Sequence, residues 1–220
     1  MDQLLNPENA FFSIVRKIVD LVWLSVLWAV CSVFVVTAGA ATSGLYYAVV
    51  KNIRRGRSYP SREFFYGMKE NFWKATAVWM VILMFLAMML VGDVPLFAAF
   101  FKLETAGDAA FSALFFLKLL IPALVFLYAF PMMSRFEMNV VAIFEKSLIL
   151  SLRHIIRTVS LVLLLFATIV LAAAEPLFLL FFLPGLYCLA ASYLLEPVWK
   201  RYTKALNDGE EPETDAWYME

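Results

Sequence analysis

The chain has 220 residues, of which 63% are hydrophobic and only 16% charged, a composition that argues against an ordinary soluble domain. Eighteen Lys and Arg balance eighteen Asp and Glu, so the net charge gives no support to a nucleic-acid partner. The sequence therefore predicts an all-α, polytopic helical bundle in a lipid bilayer, because lipid offers no partner for an open sheet edge and no segment alternates like a barrel strand.

Uncharged runs define the expected spans, since about 20 helical residues are needed to cross the hydrocarbon core. We predict five strong spans and a short sixth helix within one membrane domain, residues 1–206. The strong spans are expected at about 18–37, 74–92, 110–133, 157–174 and 176–196, and the short helix at about 40–53. Residues 207–220 form an acidic tail that we expect to be disordered.

The first apolar run, residues 21–50, is too long for one span and too short for two. Small residues and hydroxyls interrupt it at 37–44, so we predict a turn near Gly39 and a helical hairpin of the first span with the short helix. Basic residues on both sides favour the cytoplasm and support the hairpin. They are Arg16 and Lys17 before the run and Lys51, Arg54, Arg55 and Arg57 after it. Five spans with an external N-terminus are the alternative.

Charge also orients the rest of the chain. The loop 92–108 holds Lys102 among three acidic residues and is predicted to be external, whereas the loop that follows Arg135 is basic and predicted to be cytoplasmic. Glu175 and Pro176 are predicted to form an external turn, and the basic residues near Lys200 indicate a cytoplasmic C-terminus.

A weak internal repeat relates residues 64–86 to residues 147–169. In each, an amphipathic stretch with basic residues runs directly into an apolar span, and 72–74 aligns with 155–157. Such stretches are expected to lie along the cytoplasmic interface, where Lys and Arg reach lipid headgroups. True duplication and shared patterning both remain open as explanations.

Two groups inside the apolar part of the chain are candidates for a polar site. Lys118 is an ionisable residue within a span, which is costly in lipid, and Glu175 at the predicted external turn is its candidate partner. We favour snorkelling of the long Lys stem or a structural ion pair as the explanation, and a polar solute site is the alternative.

Two further sets carry alternatives of their own. Thr37, Gly39, Thr42 and Gly44 form a candidate helix-break or packing motif, which serves either close helix packing or exposure of backbone dipoles to a ligand. The basic residues Lys51, Arg54, Arg55 and Arg57 are candidate contacts for anionic lipid or a partner subunit, although orientation signalling alone also explains them.

Catalytic chemistry has little support in the sequence. No motif for ATP hydrolysis, zinc proteolysis or thiol redox chemistry occurs, so we expect no catalytic residue, cofactor or metal. Cys31 and Cys188 are isolated in apolar runs, and His154 lies between Arg153 and Arg157, which disfavour its protonated form.

Five short stretches in the first 75 residues carry a family resemblance. They are Asn6-Pro7-Glu8-Asn9-Ala10-Phe11-Phe12, Val35-Val36-Thr37-Ala38-Gly39-Ala40-Ala41-Thr42, Leu45-Tyr46-Tyr47-Ala48-Val49-Val50-Lys51, Arg62-Glu63-Phe64-Phe65 and Lys69-Glu70-Asn71-Phe72. In these the chain resembles the YesL-like family of bacterial integral membrane proteins, domain-of-unknown-function family 624. The family has no established catalytic residues or ligands, but the resemblance implies genes close to carbohydrate ABC-transporter components.

On this basis we expect a non-enzymatic, multi-pass protein of the bacterial cell membrane with both termini in the cytoplasm. It would be an accessory or regulatory component of carbohydrate (ABC-type) uptake, with sugar-permease subunits as partners. The alternative is a small solute transporter or channel in its own right, motivated by Lys118, Glu175 and the broken hairpin. An intramembrane enzyme has no residue set behind it, and the sequence does not indicate an oligomeric state.

Overall fold

The computed structural model describes residues 10–56, 59–92, 106–174 and 181–206, and these ranges are helical and contain no strand. Eight α-helices lie in them: α1 Ala10–Ser32, α2 Ala38–Ala48, α3 Pro60–Glu70, α4 Phe72–Gly92, α5 Ala106–Met133, α6 Val140–Arg153, α7 Ile155–Ala174 and α8 Leu183–Leu206. A 3-10 turn, Val35–Thr37, precedes α2, and a π-helical turn, Val49–Arg54, continues it. The predicted all-α class is thus confirmed for the described part of the chain.

Three of the described helices are long and apolar enough to cross a membrane. They are Phe72–Leu90 in α4, Ala113–Met133 in α5 and Ile155–Ala174 in α7, and they coincide with three of the five predicted strong spans. Helices α1 and α8 are also long, with 23 and 24 residues, but both carry several charged residues. The predicted tail, 207–220, and the beginning of the predicted span 176–196 lie outside the described residues.

The first helix ends earlier than predicted. Helix α1 stops at Ser32 rather than near residue 37, and the break occupies 33–37 instead of lying at Gly39. The Thr37 hydroxyl lies within hydrogen-bond distance of the carbonyl oxygens of Cys31 and Phe34, and the Trp79 indole donates to the Val35 carbonyl at 2.7 Å. Side chains thereby satisfy carbonyl groups that a helix end leaves without partners.

Helix α2 approaches its neighbours through glycines. A Cβ atom on Gly39 would lie 2.5 Å from Trp79 Cβ, and one on Gly44 would lie 2.6 Å from the Phe64 carbonyl oxygen. Neither separation leaves room for a methyl group, so Gly39 permits the contact with α4 and Gly44 permits the contact with α3. Thr42 adds a polar link, since its hydroxyl accepts a hydrogen bond from the Trp28 indole of α1 at 3.1 Å.

Two short helices lead into two spans through single residues. Asn71 links α3 to α4, and His154 links α6 to α7. Neither residue has the backbone angles of an α-helix, since their ψ angles are 9° and 51°. The weak sequence repeat aligns 72–74 with 155–157. In the structure each of these triplets begins the span directly after a junction, so the two junctions are equivalent. Helix α3 packs on α2 and α6 packs on α5, so each junction is held by a preceding helix.

The buried core lies where α2, α4, α5 and α8 meet. The five largest of its fully buried side chains are aromatic, and two of them, Tyr128 and Trp199, bring the ends of α5 and α8 together. Tyr128 and Phe136 both contact Trp199 edge to face, with ring centroids 6.4 and 6.0 Å apart. The core thereby positions the loop after α5 against the last helix.

Candidate functional site

A polar cavity of about 210 Å³ lies at the end of the bundle where α4 begins and α5 ends. Helix α2 contributes Tyr47, α3 contributes Tyr66 and Glu70, and α4 contributes Lys74. The remaining wall is Asn71 between α3 and α4, and the stretch 133–137 that leaves α5 and includes Arg135 and Glu137. Two carboxylates, two cations and two phenols thus surround a space large enough for a small polar molecule.

A buried ion pair joins two of the elements beside this cavity. Lys51 Nζ lies 2.9 Å from Glu63 Oε2, and both residues are only 6% exposed. The same ammonium donates a hydrogen bond to the Tyr47 hydroxyl at 3.1 Å and lies 5.9 Å from the centre of the Tyr66 ring. Because a buried charge requires a partner, the pair fixes α3 against the π-helical turn after α2.

A second buried ion pair involves Arg135, one of the residues that line the cavity. Arg135 Nη1 donates to Glu196 Oε2 at 2.7 Å, and both side chains are almost fully buried. The other carboxylate oxygen of Glu196 accepts from the Tyr46 hydroxyl at 3.4 Å. The loop after α5, helix α8 and helix α2 are thus tied together by one carboxylate.

The predicted basic contact residues differ in their surroundings. Lys51 is buried in its ion pair, and Arg54 donates to the Ser192 carbonyl oxygen at 2.8 Å while its guanidinium lies 4.5 Å from the Tyr193 ring centre. Arg55 is partly exposed, and Arg57 lies outside the described residues. The structure therefore directs Lys51 and Arg54 toward the protein interior.

The other sequence candidates that the structure describes lie away from the cavity. Lys118 is exposed within the apolar span of α5, and Glu175 lies outside the described residues, so their pairing stays a prediction. Thr37, Gly39, Thr42 and Gly44 lie at the α1–α2 break and on α2, where they make the contacts given above.

Among the titratable groups with shifted pKa values are Tyr66 of α3 and His154, which links α6 to α7. The negative charge of Glu70, with a smaller contribution from burial, raises the pKa of Tyr66 and keeps this phenol protonated. Burial lowers the pKa of His154, and the positive charges of Arg157, Arg153 and Arg201 lower it further. The predicted effect of Arg153 and Arg157 on His154 is thus confirmed.

Sequence reasoning missed the acidic partners Glu63 and Glu196. Glu196 directly follows Leu194 and Leu195 in an apolar stretch. An ionisable group is costly in such surroundings, and the argument that identified Lys118 as a candidate would also have identified Glu196. Glu63 follows a proline at the start of a polar helix, where an acidic residue is ordinary, so no local pattern marks it.

Residues 21–94 match a family model described as "Protein of unknown function, DUF624". This match, over 74 of the 220 residues, supports membership of the DUF624 family. The DUF624 segment includes α2, α3 and most of α1 and α4, and with them Tyr47, Lys51 and Glu63, whereas Arg135 and Glu196 lie beyond it. The family membership predicted from the sequence is confirmed, and the YesL-like name is consistent with it. No curated protein and no solved structure matches the chain.

Proposed function

We propose that this protein is a non-enzymatic, integral membrane component that acts as an accessory or regulator of carbohydrate (ABC-type) uptake in the bacterial cell membrane. The observation that carries this proposal is the placement of buried charge. Lys51 is paired with Glu63, and Arg135, which lines the cavity, is paired with Glu196, so these buried charges hold helices together.

Aromatic side chains pack between α4 and α5 beyond Lys74, and we propose that they close the cavity toward the membrane interior. Trp79 of α4 lies 6.0 Å from Phe126 and 6.3 Å from Phe130 of α5, measured between ring centres, and these two rings are 5.3 Å apart. Trp79 lies about 10 Å beyond Phe72 along α4, and therefore deeper than Lys74 at the cavity. A blind cavity of this kind favours a binding or docking role over passage of a solute.

The carbohydrate part of the proposal rests on the family resemblance, which implies genes close to sugar ABC-transporter components. The membrane surface of the bundle is compatible with partner helices. Only 11% of the α7 span is buried inside the protein, and Leu163 and Phe166 are 62% and 65% exposed. Such a surface is suited to lipid or to the helices of a permease subunit.

The proposal also includes the finer membrane arrangement. In it, α1 and α8 are further spans, α2 is a short helix that returns from a hairpin with α1, and both termini are cytoplasmic. The Trp28–Thr42 hydrogen bond supports the hairpin. A hydrogen bond from Trp79 to the Val35 carbonyl also joins the turn of this hairpin to α4, about one third of the way along that helix. Reporters fused to the two termini test this, and an external N-terminus would restore the five-span alternative.

Photocrosslinking in the native membrane tests the proposed partnership. A photoreactive amino acid is placed at Phe166 in α7, Met84 in α4 or Val30 in α1, which are all exposed and lie on different helices. We expect a sugar-permease subunit to crosslink from one of these faces and not from all three. Crosslinks to lipid alone from every position would overturn the proposal.

A small solute transporter or channel is the second candidate, and the charged walls of the 210 Å³ cavity favour it. On this hypothesis a solute would enter from the cavity, and Lys118 and Glu175 would contribute to a path through the bilayer. Flux in proteoliposomes should then be abolished by Lys118→Ala and by Glu175→Ala. Unchanged flux in both variants would reject that path.

A further inference from the structure

A second cavity, of about 230 Å³, forms an amphipathic groove among the end of α5, helix α6 and helix α8. We call it the α6 groove. Its floor is apolar and includes Met132, Ile149 and Trp199, while Lys146 and Arg153 stand at its rim. Apolar surface beside two cations is the combination that an amphiphile with a negative head would fill.

The two rim cations have weak partners within the protein. Lys146 Nζ is 3.3 Å from the sulfur of Met138, and the Arg153 guanidinium lies 5.7 Å from the Tyr202 ring centre. Within the described ranges no carboxylate lies at ion-pair distance from either side chain, and both are exposed. This contrasts with Lys51 and Arg135, whose charges are fully compensated by Glu63 and Glu196.

The positive charge extends beyond the rim. The positive charges of Arg157, Arg153 and Arg201 all act on His154, which directly follows the rim residue Arg153. One nitrogen of Arg157, Nη1, and the Nε2 atom of His154 are buried without a hydrogen-bond partner among the residues that the structure describes. Unsatisfied buried polar atoms are uncommon in folded proteins.

The groove lies at the level where two apolar spans meet water. The α5 span ends at Met133, and the α7 span begins at Ile155 directly after His154. Two large apolar side chains next to the groove point outward, since Leu152 is 70% and Ile156 is 82% exposed. A lipid acyl chain can therefore reach the groove from the bilayer while its phosphate stays at the interface.

We propose that the α6 groove binds one anionic phospholipid, with the phosphate on Lys146 and Arg153 and an acyl chain along Met132, Ile149 and Trp199. This site is separate from the basic loop that contains Lys51 and Arg54, and it does not depend on the uptake partner. Bound lipid would hold α6 against α8 and so stabilise the junction at His154.

Native mass spectrometry of the full-length protein tests the site. The protein is reconstituted with equal amounts of phosphatidylglycerol and phosphatidylcholine, and the lipid that stays bound on release is identified. We expect one retained phosphatidylglycerol. The double variant Lys146→Gln/Arg153→Gln should lose the preference for phosphatidylglycerol by about 30-fold, on the basis of roughly 1 kcal/mol for each cation near an anionic surface.

A matched double variant, Arg62→Gln/Lys69→Gln, removes two exposed cations of α3 and should leave the preference unchanged. Ile149→Asn should weaken retention of the lipid even though both cations remain, because the acyl chain loses apolar contact. Equal retention of the two lipids by the wild-type protein, or an unchanged preference in Lys146→Gln/Arg153→Gln, would overturn the proposal. Binding of glycerol phosphate as tightly as the intact lipid would also overturn it.

Discussion

Glu63 holds the ammonium group of Lys51 at 2.9 Å in a site where both residues are almost completely buried. The pair connects helix α3 to the turn that follows α2, and Tyr47 completes it with a hydrogen bond to the same ammonium. A basic residue from a loop that the sequence marks as an orientation signal is thus part of the internal structure. Arg135 and Glu196 repeat this arrangement on the other side of the polar cavity.

Breaking the first pair should be costly. Lys51→Met leaves the Glu63 carboxylate buried without its partner, and we expect a loss of about 3–5 kcal/mol in the free energy of unfolding. The double variant Lys51→Met/Glu63→Leu should recover most of this loss, since no uncompensated charge remains. Thermal unfolding in mild detergent measures both. Lys69→Met, at an exposed position on α3, is the control and should change stability by less than about 0.5 kcal/mol. A wild-type melting temperature for Lys51→Met would contradict the assigned pair.

Gly44→Ala should separate α2 from α3. The added Cβ would lie 2.6 Å from the Phe64 carbonyl oxygen, a backbone atom that can move only with its helix, so we expect about 1–3 kcal/mol of destabilisation. Gly56→Asn is the matched control, because Gly56 has open space around it and a φ of 66°, which Asn tolerates. Chemical denaturation measures both variants. Equal stability of Gly44→Ala and Gly56→Asn would show that the α2–α3 contact is looser than described.

The Trp79 indole should help to keep residues 33–37, the break between α1 and α2, in a fixed conformation. Trp79→Phe removes the donor to the Val35 carbonyl, and we expect a loss of about 1 kcal/mol and faster hydrogen exchange at 33–37. Trp73→Phe is the control, since Trp73 is 82% exposed and its ring contacts Phe72. Unchanged exchange in Trp79→Phe would mean that the break is held by Thr37 alone.

His154 should make stability depend on pH. Burial and the neighbouring guanidinium groups of Arg157, Arg153 and Arg201 hold its folded-state pKa below the ordinary 6.5, so the unfolded chain takes up a proton first as the pH falls. Stability contributed by the neutral imidazole is therefore present above about pH 6.5 and declines as the pH drops toward the folded-state pKa. We expect the melting temperatures of the wild-type protein and His154→Gln to converge between pH 7.5 and 5.5. A difference that is constant over this range would contradict the depressed pKa.

The spans and the helix junctions could be predicted from local sequence, whereas the break and the polar pairs could not. The length of apolar runs places α4, α5 and α7, because a helix in lipid must bury its backbone polar groups over a fixed thickness. The sequence predicts the break at Gly39 and the structure has it at 33–37, because its position depends on a hydrogen bond from Trp79, which lies 44 positions from Val35. The pairing of Arg135 with Glu196 spans 61 positions, so only helix packing can show which carboxylate compensates which cation.

The central proposal is that the polar cavity is blind and that Trp79, Phe126 and Phe130, which contact one another between α4 and α5, close it toward the membrane interior. Accessibility to a membrane-impermeant thiol reagent tests this most directly, with single cysteines introduced into a background in which Cys31 and Cys188 are replaced by Ala. We predict that Glu137→Cys, on the cavity wall, reacts from one side of the membrane and that Phe126→Cys reacts from neither side. Rapid labelling of Phe126→Cys would reveal a water-filled path past the aromatic closure and would favour the transporter alternative over an accessory role.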